Sequence, residues 1–212
     1  EFVQLPRSEA PWIKRTVDLS PGDWNTTTPE IKDAILYGIK SGDIWLNKIK
    51  HDEKGNRIYG NVCLEVYLPS RGTCLLQHVN LAACTIDDIA TAFTEGMFEL
   101  CSLHSKTGVG ATGEYLPADI DKQVGLGMLG LANLLRKYKV TYKQFGVALA
   151  KRLNNEMVET VADAIVQQLE KGIELAAEIA REHNMVRAFA IAPTASCSYR
   201  SKDIDGFTST PE

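Results

Sequence analysis

The sequence has 212 residues, of which 44% are hydrophobic and 24% are charged, and its formal net charge is −4. This is an ordinary composition for a soluble globular protein, and a chain of this length can bury a sizeable core. No basic stripe, membrane-length apolar run or signal-peptide pattern is present, so we predict a cytoplasmic protein with neither nucleic acid nor a membrane as partner. The five irregularly spaced cysteines fit reduced thiols rather than a secreted disulfide framework.

The first 60 residues contain one clear helix signal. Residues 1–30 are rich in Pro, Ser, Thr and Trp and predict irregular structure with at most a short strand. The run Thr27-Thr28-Pro29-Glu30 then predicts a helix start, and Gly42 is a plausible end for that helix. We predict a second short helix from Asp43 to Lys50 and a polar turn after it.

The segment from Arg57 to Leu68 carries an amide, a thiol and a carboxylate at alternate positions, namely Asn61, Cys63 and Glu65. Its β-branched and aromatic residues predict a strand, in which alternate side chains project to the same face. The three groups would then lie within roughly 7 Å of one another along one face, with Val62, Leu64 and Val66 opposite. Such a combination of an amide, a sulfur and a titratable group is typical of an active site.

The rest of the chain alternates between extended and helical stretches. Residues 73–81 predict a return strand or extended loop, which would fold Cys74 back beside Cys63. The further predicted elements are a helix from 85, a Gly-rich loop at 107–113, a helix at 119–138, a helical region at 141–183 with a break near 154–155, and a strand at 187–192. This order indicates an α/β fold.

Gly125-x-Gly127-x-x-Gly130 has the spacing of the dinucleotide-binding fingerprint. That motif needs a preceding strand within a βαβ unit, whereas the residues before Gly125 predict a helix, so dinucleotide binding is not expected. Three glycines in a helix would cost roughly 1 kcal/mol each relative to alanine. We therefore expect that they permit a close packing approach.

The segment Pro193-Thr194-Ala195-Ser196-Cys197-Ser198 follows the last predicted strand. Small hydroxyl side chains and backbone N–H groups in this position can bind an anion, especially where a helix begins. A plain Ser/Thr turn is the alternative interpretation of these residues alone.

Three motifs, in this order, resemble the catalytic α chain of the ribonucleotide reductases. Asn61-x-Cys63-x-Glu65, followed by Cys74 and Asn80-Leu81-Ala82, resembles the catalytic loop of that family. The Gly-rich run 123–132 resembles its Gly-rich helix, and 191–196 resembles its substrate-phosphate loop. The resemblance covers 61–212 and implies a ten-stranded α/β barrel, of which this helix-rich chain would be a part.

The resemblance implies a role for each site residue. Cys63 would be the thiyl radical that removes the hydrogen atom from C3′ of the substrate ribose. Glu65 would accept the proton of the 3′-hydroxyl group, and Asn61 would hold the sugar hydroxyls. Cys74 would be one half of the dithiol that reduces C2′; its partner in the family lies further upstream, and no cysteine precedes Cys63 in this sequence. Residues 193–198 would hold the substrate phosphate.

The implied reaction is the reduction of ribonucleotides to 2′-deoxyribonucleotides in DNA precursor synthesis. Cys74 follows Cys63 by eleven residues, and this short interval resembles the adenosylcobalamin-dependent class II, which predicts that cofactor. The alternative is a class I chain, which holds no cofactor of its own and receives its radical from a separate dimetal subunit. The implied partners are a ribonucleotide substrate and a thioredoxin- or glutaredoxin-like reductant.

Two other classes of protein stay open from the residues alone. Cys63 could be the nucleophile of a non-radical thiol enzyme with His78 as its base. Alternatively, the chain could be a non-catalytic helical module whose cysteines all lie in the core. No metal site is predicted, because the candidate ligands lack the paired spacing of structural zinc sites. These candidates are Cys84, Cys101, His78 and His104.

We expect residues 1–212 to form part of a single catalytic barrel domain. Because the sequence lacks an initiator methionine and stops just after a loop, we also expect an interior fragment of a longer chain. Its segments would be a lead-in at 1–60, the catalytic cysteine loop at 61–84, barrel helices at 85–186 and the phosphate-loop segment at 187–212.

Overall fold

A computed structural model describes residue 9 and residues 15–107, 113–156 and 159–212. Its helices and three small sheets make a mixed α/β structure, as predicted. The chain divides into two compact units, Glu1–Ser70 and Arg71–Glu212, and the border between them falls inside the predicted catalytic loop segment at 61–84. Among the described residues, no helix combines the length and the apolar character that a membrane crossing requires.

The first unit contains a parallel strand pair and a small antiparallel sheet. Strand β1 (Arg15–Leu19) pairs with β2 (Ile44–Lys48), and the helices α1 (Pro21–Thr26) and α2 (Pro29–Ser41) connect them. The antiparallel sheet has the order β3 (Lys50–His51), β4 (Arg57–Gly60) and β5 (Tyr67–Leu68). The helix predicted from Thr28 is confirmed as α2, and Gly42 ends it with a φ of 79°.

The predicted helix from Asp43 to Lys50 is wrong, because most of that stretch is strand β2. Ile44 begins β2 and packs against α2 so closely that a Cβ atom at Gly38 would lie 2.3 Å from the Ile44 Cδ1. Residue-by-residue pairing with β1 fixes the extended conformation. Tertiary pairing therefore overrides the local helix signal here.

The second unit is built on a parallel sheet with the order β6 (Leu76–Asn80), β7 (Gln123–Leu129) and β8 (Arg187–Phe189). Its helices are α3 (Asp88–His104), α4 (Leu131–Lys137), α5 (Tyr142–Leu153), α6 (Val161–Glu182) and α7 (Ala195–Arg200). The helices α3 and α6 pack on each other, and their apolar residues share one core with Val79 of β6 and Leu126 of β7. Strand β7 is buried along almost all its length, which is typical of a parallel strand covered on both faces.

The predicted helix at 119–138 is wrong, because β7 occupies its centre and only α4 is helical. Gly125 and Gly127 therefore lie in a strand and Gly130 is the N-cap of α4, but the expected close approach is confirmed at Gly127. A Cβ atom there would lie 2.2 Å from the carbonyl oxygen of Ala190 and 2.8 Å from Cδ2 of His78. The predicted helix, which was the argument against the dinucleotide fingerprint, is absent. The fingerprint still does not fit, because it needs the glycines in the turn after a strand, whereas Gly125 and Gly127 lie inside β7.

The predicted helices with capping signals are confirmed. The capping box at Thr141 opens α5, and α6 follows after the predicted break near 154–155 and reaches Glu182. The helix expected from 85 begins at Asp88, whose carboxylate accepts a hydrogen bond from the Thr85 hydroxyl. Residues 1–8 and 10–14 of the lead-in, and 108–112 of the Gly-rich loop, lie outside the described residues.

Candidate active site

Cys63 lies at the tip of the hairpin loop that joins β4 to β5. The N–H of Asn61 donates to the carbonyl of Val66 at 3.1 Å and closes the loop. Inside it, the N–H of Leu64 donates to the carbonyl of Asn61 at 3.2 Å, which makes Cys63 the second central residue of a β-turn. The Cys63 side chain is exposed, so the loop presents a thiol to its surroundings.

The prediction of one continuous strand from Arg57 to Leu68 is therefore wrong. Gly60 pairs with Tyr67 in the β4–β5 register, and this leaves residues 61–66 to reverse the chain. The alternation of faces does not hold in a turn. Val62, which was expected on the apolar face opposite Cys63, is 71% exposed.

Packing from two strands holds the loop in place. Leu64 adopts a left-handed φ of 64°, a conformation that costs a non-glycine residue roughly 1–2 kcal/mol. Its side chain lies directly over Gly60, where a Cβ atom would be 2.8 Å from the Leu64 Cδ2 and 3.0 Å from the Asn47 Nδ2. The hydroxyl of Tyr67 donates to the Asn47 Oδ1 at 2.8 Å. Residues of β2 and β5 thereby fix the loop that carries the thiol.

Glu65 is the most unusual group of this loop. Its side chain is half-buried, and its Oε2 is shielded from solvent and has no hydrogen-bond partner among the described residues. A shielded carboxylate oxygen without a donor costs free energy, so its presence in a fold requires an explanation. One such explanation is that the oxygen accepts a hydrogen bond from a substrate hydroxyl. Glu65 lies two positions from Cys63 in the sequence.

Asn61 takes part in the structure of the loop through its backbone and its side chain. The Val66 N–H donates to the Asn61 Oδ1 at 3.4 Å, which is long for a bond of this type. The structure thus gathers Asn61, Cys63 and Glu65 in one loop of the first unit, although by a turn rather than by one strand face.

Cys74 lies in the second unit, in the extended segment that leads into β6, and its side chain is exposed. The extended conformation predicted for residues 73–81 is confirmed by β6, but these residues do not pair with the segment that carries Cys63. The antiparallel partner of β4 is β5, whereas β6 pairs in parallel with β7. The segments that carry Cys63 and Cys74 therefore do not pair as the two arms of one hairpin.

A polar cluster around the buried Asp121 contacts Thr73, the residue before Cys74, and sequence reasoning missed it. The Asp121 carboxylate accepts hydrogen bonds from the Thr73 N–H at 2.7 Å and from the Gln123 Nε2 at 2.9 Å. The Arg187 Nε donates to the Gln123 Oε1 at 3.1 Å, and the His104 ring contacts the Asp121 carbonyl. A polar residue at alternate positions just before an apolar strand, as in Asp121-Lys-Gln123, was the available signal.

The predicted phosphate loop lies after β8, where α7 begins. Thr194 adopts a left-handed φ of 53°, and its hydroxyl accepts a hydrogen bond from the Glu212 N–H at 2.8 Å. Because the first N–H groups of an α-helix have no intrahelical partner, those of Ala195, Ser196 and Cys197 can face an anion. Ser198 is different: its N–H donates to the Thr194 carbonyl, and its buried hydroxyl donates to the Ala195 carbonyl.

The segment after α7 is held against the carboxyl end of the sheet. The Ser209 hydroxyl donates to the Asn80 Oδ1 at 2.9 Å, and the Thr210 N–H donates to the Asn133 Oδ1 at 2.8 Å. Asn133 also donates to the Asp203 carboxylate, and this hydrogen bond is the main cause that lowers the pKa of Asp203. Asn80, the first residue of the Asn-Leu-Ala motif, thus has a structural role.

The remaining cysteines of the second unit divide into two kinds. Cys84 and Cys101 are buried, and burial raises the pKa of both thiols, with a further contribution from the Asp88 charge at Cys84. Cys197 is exposed. Within the described ranges, no three His, Cys, Asp or Glu side chains form a group that could hold a metal ion.

Comparisons with known proteins add no family assignment. No protein-family model matches the chain, and no curated protein matches it.

Proposed function

We propose that this sequence is part of the catalytic α chain of a ribonucleotide reductase. This α chain would reduce ribonucleotides to 2′-deoxyribonucleotides by thiyl-radical chemistry. The observation that supports this function is the loop of Asn61, Cys63 and Glu65. It combines an exposed thiol with a shielded carboxylate oxygen that has no hydrogen-bond partner among the described residues. The order of this motif, Cys74 and the segment 193–198 in the sequence gives the proposal its family.

In the proposed mechanism, each group of the loop acts on the substrate sugar. The Cys63 thiyl takes the hydrogen atom of C3′, and the thiol S–H bond is weak enough to be broken and remade within one cycle. The Glu65 carboxylate accepts the proton of the 3′-hydroxyl, which needs direct hydrogen-bond reach and an oxygen that is not already occupied. Asn61 orients the sugar hydroxyls through its amide.

Cys74 supplies one of the two thiols that reduce C2′. The C2′ hydroxyl leaves as water, the two thiols give two electrons and two hydrogens, and one disulfide forms for each deoxynucleotide. We assign the second thiol to none of the cysteines of this chain. A thioredoxin- or glutaredoxin-like protein would reduce the disulfide again.

The substrate phosphate is proposed to bind at the start of α7. Backbone N–H groups in the first turn of a helix are a common means of binding phosphate, and the side chains of Ala195, Ser196 and Cys197 are small enough to allow a close approach. The proposed fold is a ten-stranded α/β barrel to which β6, β7 and β8 contribute. Parallel pairing and helical connections within the second unit support this fold.

The proposed radical source is adenosylcobalamin, with a separate dimetal subunit as the alternative. An exposed thiol at the tip of a loop fits the approach of a bulky cofactor, and Cys63 is the one residue that we assign to contact it. When bound, the cofactor would supply the radical that removes the hydrogen atom of the Cys63 thiol.

The test uses the full-length protein, base-labelled ribonucleotide, a dithiol and adenosylcobalamin. Cys63→Ser should abolish product, because an alcohol O–H bond is too strong to form the required radical. Glu65→Gln should keep substrate affinity and lose about 10²–10⁴-fold in turnover, which is the usual contribution of a general base. Glu53→Gln, an exposed change in the turn before β4, is the matched control and should retain activity.

Cys74→Ser should differ from both variants. Hydrogen abstraction at C3′ would still occur, but C2′ would not be reduced properly, and the sugar should decay with release of free base. Product formation by Cys63→Ser would refute the radical mechanism. Activity that requires an added dimetal subunit would keep the mechanism and refute the choice of cofactor.

A further inference from the structure

Asp121 is buried with 4% of its surface exposed, and both of its carboxylate oxygens accept hydrogen bonds. Oδ2 binds the backbone N–H of Thr73 at 2.7 Å, and Oδ1 binds the amide group of Gln123 at 2.9 Å. Thr73 and Asp121 are 48 residues apart in the sequence. The carboxylate therefore ties the segment before β6 to the start of β7.

The cluster around Asp121 fixes the direction of each hydrogen bond. Arg187 has only donors, so the Gln123 Oε1 must face it, and the Gln123 Nε2 must then face Asp121. The Thr73 N–H is also a donor. Both Asp121 oxygens consequently have to be acceptors, which a carboxylate provides and an amide does not.

The segment held by Asp121 contains Cys74. The Arg71 carbonyl accepts from the Leu116 N–H at 2.9 Å, and the Leu75 carbonyl accepts from the Gly125 N–H at 2.9 Å. These contacts and the Thr73–Asp121 bond fix the backbone on both sides of Cys74, whose own side chain is exposed. The Cα atom of Cys74 therefore has a defined position, and the thiol can occupy only the staggered rotamers that this Cα allows.

We propose that Asp121 is a positioning residue for Cys74, and that it holds this thiol where it can reduce the substrate. This inference rests on the proposed function, since it concerns the reduction step in which Cys74 takes part. Asp121 acts through the backbone of Thr73 and does not contact the substrate.

Asp121→Asn tests this role with almost no change in shape. Whichever way the new amide is oriented, its NH₂ group faces either the Thr73 N–H or the Gln123 Nε2, and two donors then oppose each other. Asp119→Asn is the matched control, because it removes the same charge from an exposed position two residues away. Thr73→Pro is the second variant: it removes the N–H donor to the Asp121 Oδ2 and changes none of the cluster side chains Asp121, Gln123 and Arg187. Gly72 before it tolerates a following proline.

The readout is the ratio of free base to deoxynucleotide formed by the full-length enzyme. A misplaced Cys74 should raise this ratio by about tenfold or more, because displacements near 1 Å have large effects on reacting groups. Exchange of the Thr73 amide hydrogen should also accelerate by about ten- to a hundredfold in Asp121→Asn, since a hydrogen bond to a charged group is lost. Asp119→Asn should change neither value.

Folded Asp121→Asn with the wild-type product ratio would overturn the proposal. If that variant does not fold, Thr73→Pro decides, and a wild-type ratio there overturns the proposal equally. If the wild-type enzyme forms neither product with either radical source, the proposed function fails. The rate at which iodoacetamide labels Cys74 relative to Cys197 then decides the inference: a changed ratio in Asp121→Asn supports the positioning of Cys74, and an unchanged ratio refutes it.

Discussion

Replacement of Gly127 by alanine should destabilise the second unit, because the added methyl group has no space. Its Cβ would lie 2.2 Å from the backbone oxygen of Ala190, and within 2.8–3.1 Å of two atoms of the His78 ring. An ordinary contact begins at 3.4 Å, so the backbone after β8 has to move away from β7. Overpacking of this kind costs roughly 1–3 kcal/mol, and we expect the upper half of that range because a backbone atom is the obstacle.

Gly146→Ala is the matched control for that substitution. Gly146 lies in the interior of α5, and a Cβ atom there would meet nothing within 4 Å. Alanine should therefore stabilise this helix by roughly 0.5–1 kcal/mol. The same chemical change is thus expected to have opposite signs at the two positions.

Urea unfolding of the full-length protein, followed by circular dichroism, measures both effects as shifts of the transition midpoint at constant slope. Gly127→Ala should lower the midpoint and Gly146→Ala should raise it. A Gly127→Ala protein as stable as wild type would refute the close approach of the Ala190 backbone to β7.

Three further predictions concern stability and thiol reactivity. Thr160→Ala should cost about 1 kcal/mol in urea unfolding, because Thr160 is the N-cap of α6 and part of its capping box. Burial raises the pKa of Cys84 and Cys101, so mass-spectrometric mapping should find both alkylated more slowly than exposed cysteines. The contribution of these two thiols to stability should fall as the pH rises above the ordinary thiol pKa. Because the pKa of Asp203 is lowered in the fold, ionised Asp203 stabilises the protein above the ordinary carboxyl pKa, and this stabilisation is lost as the pH falls. Asn133→Ala removes the main cause of the lowered pKa, so acid unfolding should begin at a higher pH.

The helices could be predicted where the signal is local. Thr28-Pro29 and Gly42 bound α2, and the capping box at Thr141 opens α5, because caps depend on residues within one turn. The strands β2 and β7 could not be predicted in this way. Their extended conformation depends on partners far away in the sequence, and short apolar runs fit a helix equally well.

The residues of the candidate site stay a prediction, and the geometry predicted for them is wrong. Alternation places Asn61, Cys63 and Glu65 on one face only if the chain stays extended, and the pairing of Gly60 with Tyr67 turns it instead. The contact of Asp121 with Thr73 spans 48 residues, so the polar alternation at Asp121 and Gln123 marks the cluster but does not reveal this partner. Both features depend on contacts between segments that are distant in the sequence, and the spacing of residues along the sequence does not predict such contacts.

Formation of deoxynucleotide by the full-length wild-type protein tests the proposed function most directly. Ribonucleotide is incubated with a dithiol and with either adenosylcobalamin or a dimetal radical subunit, and deoxynucleotide and disulfide are counted together. We predict one disulfide for each deoxynucleotide, and no product from Cys63→Ser, while Cys101→Ala, which truncates a buried thiol of α3, retains the reaction. Failure of the wild-type protein to form deoxynucleotide with either radical source would contradict the proposed function.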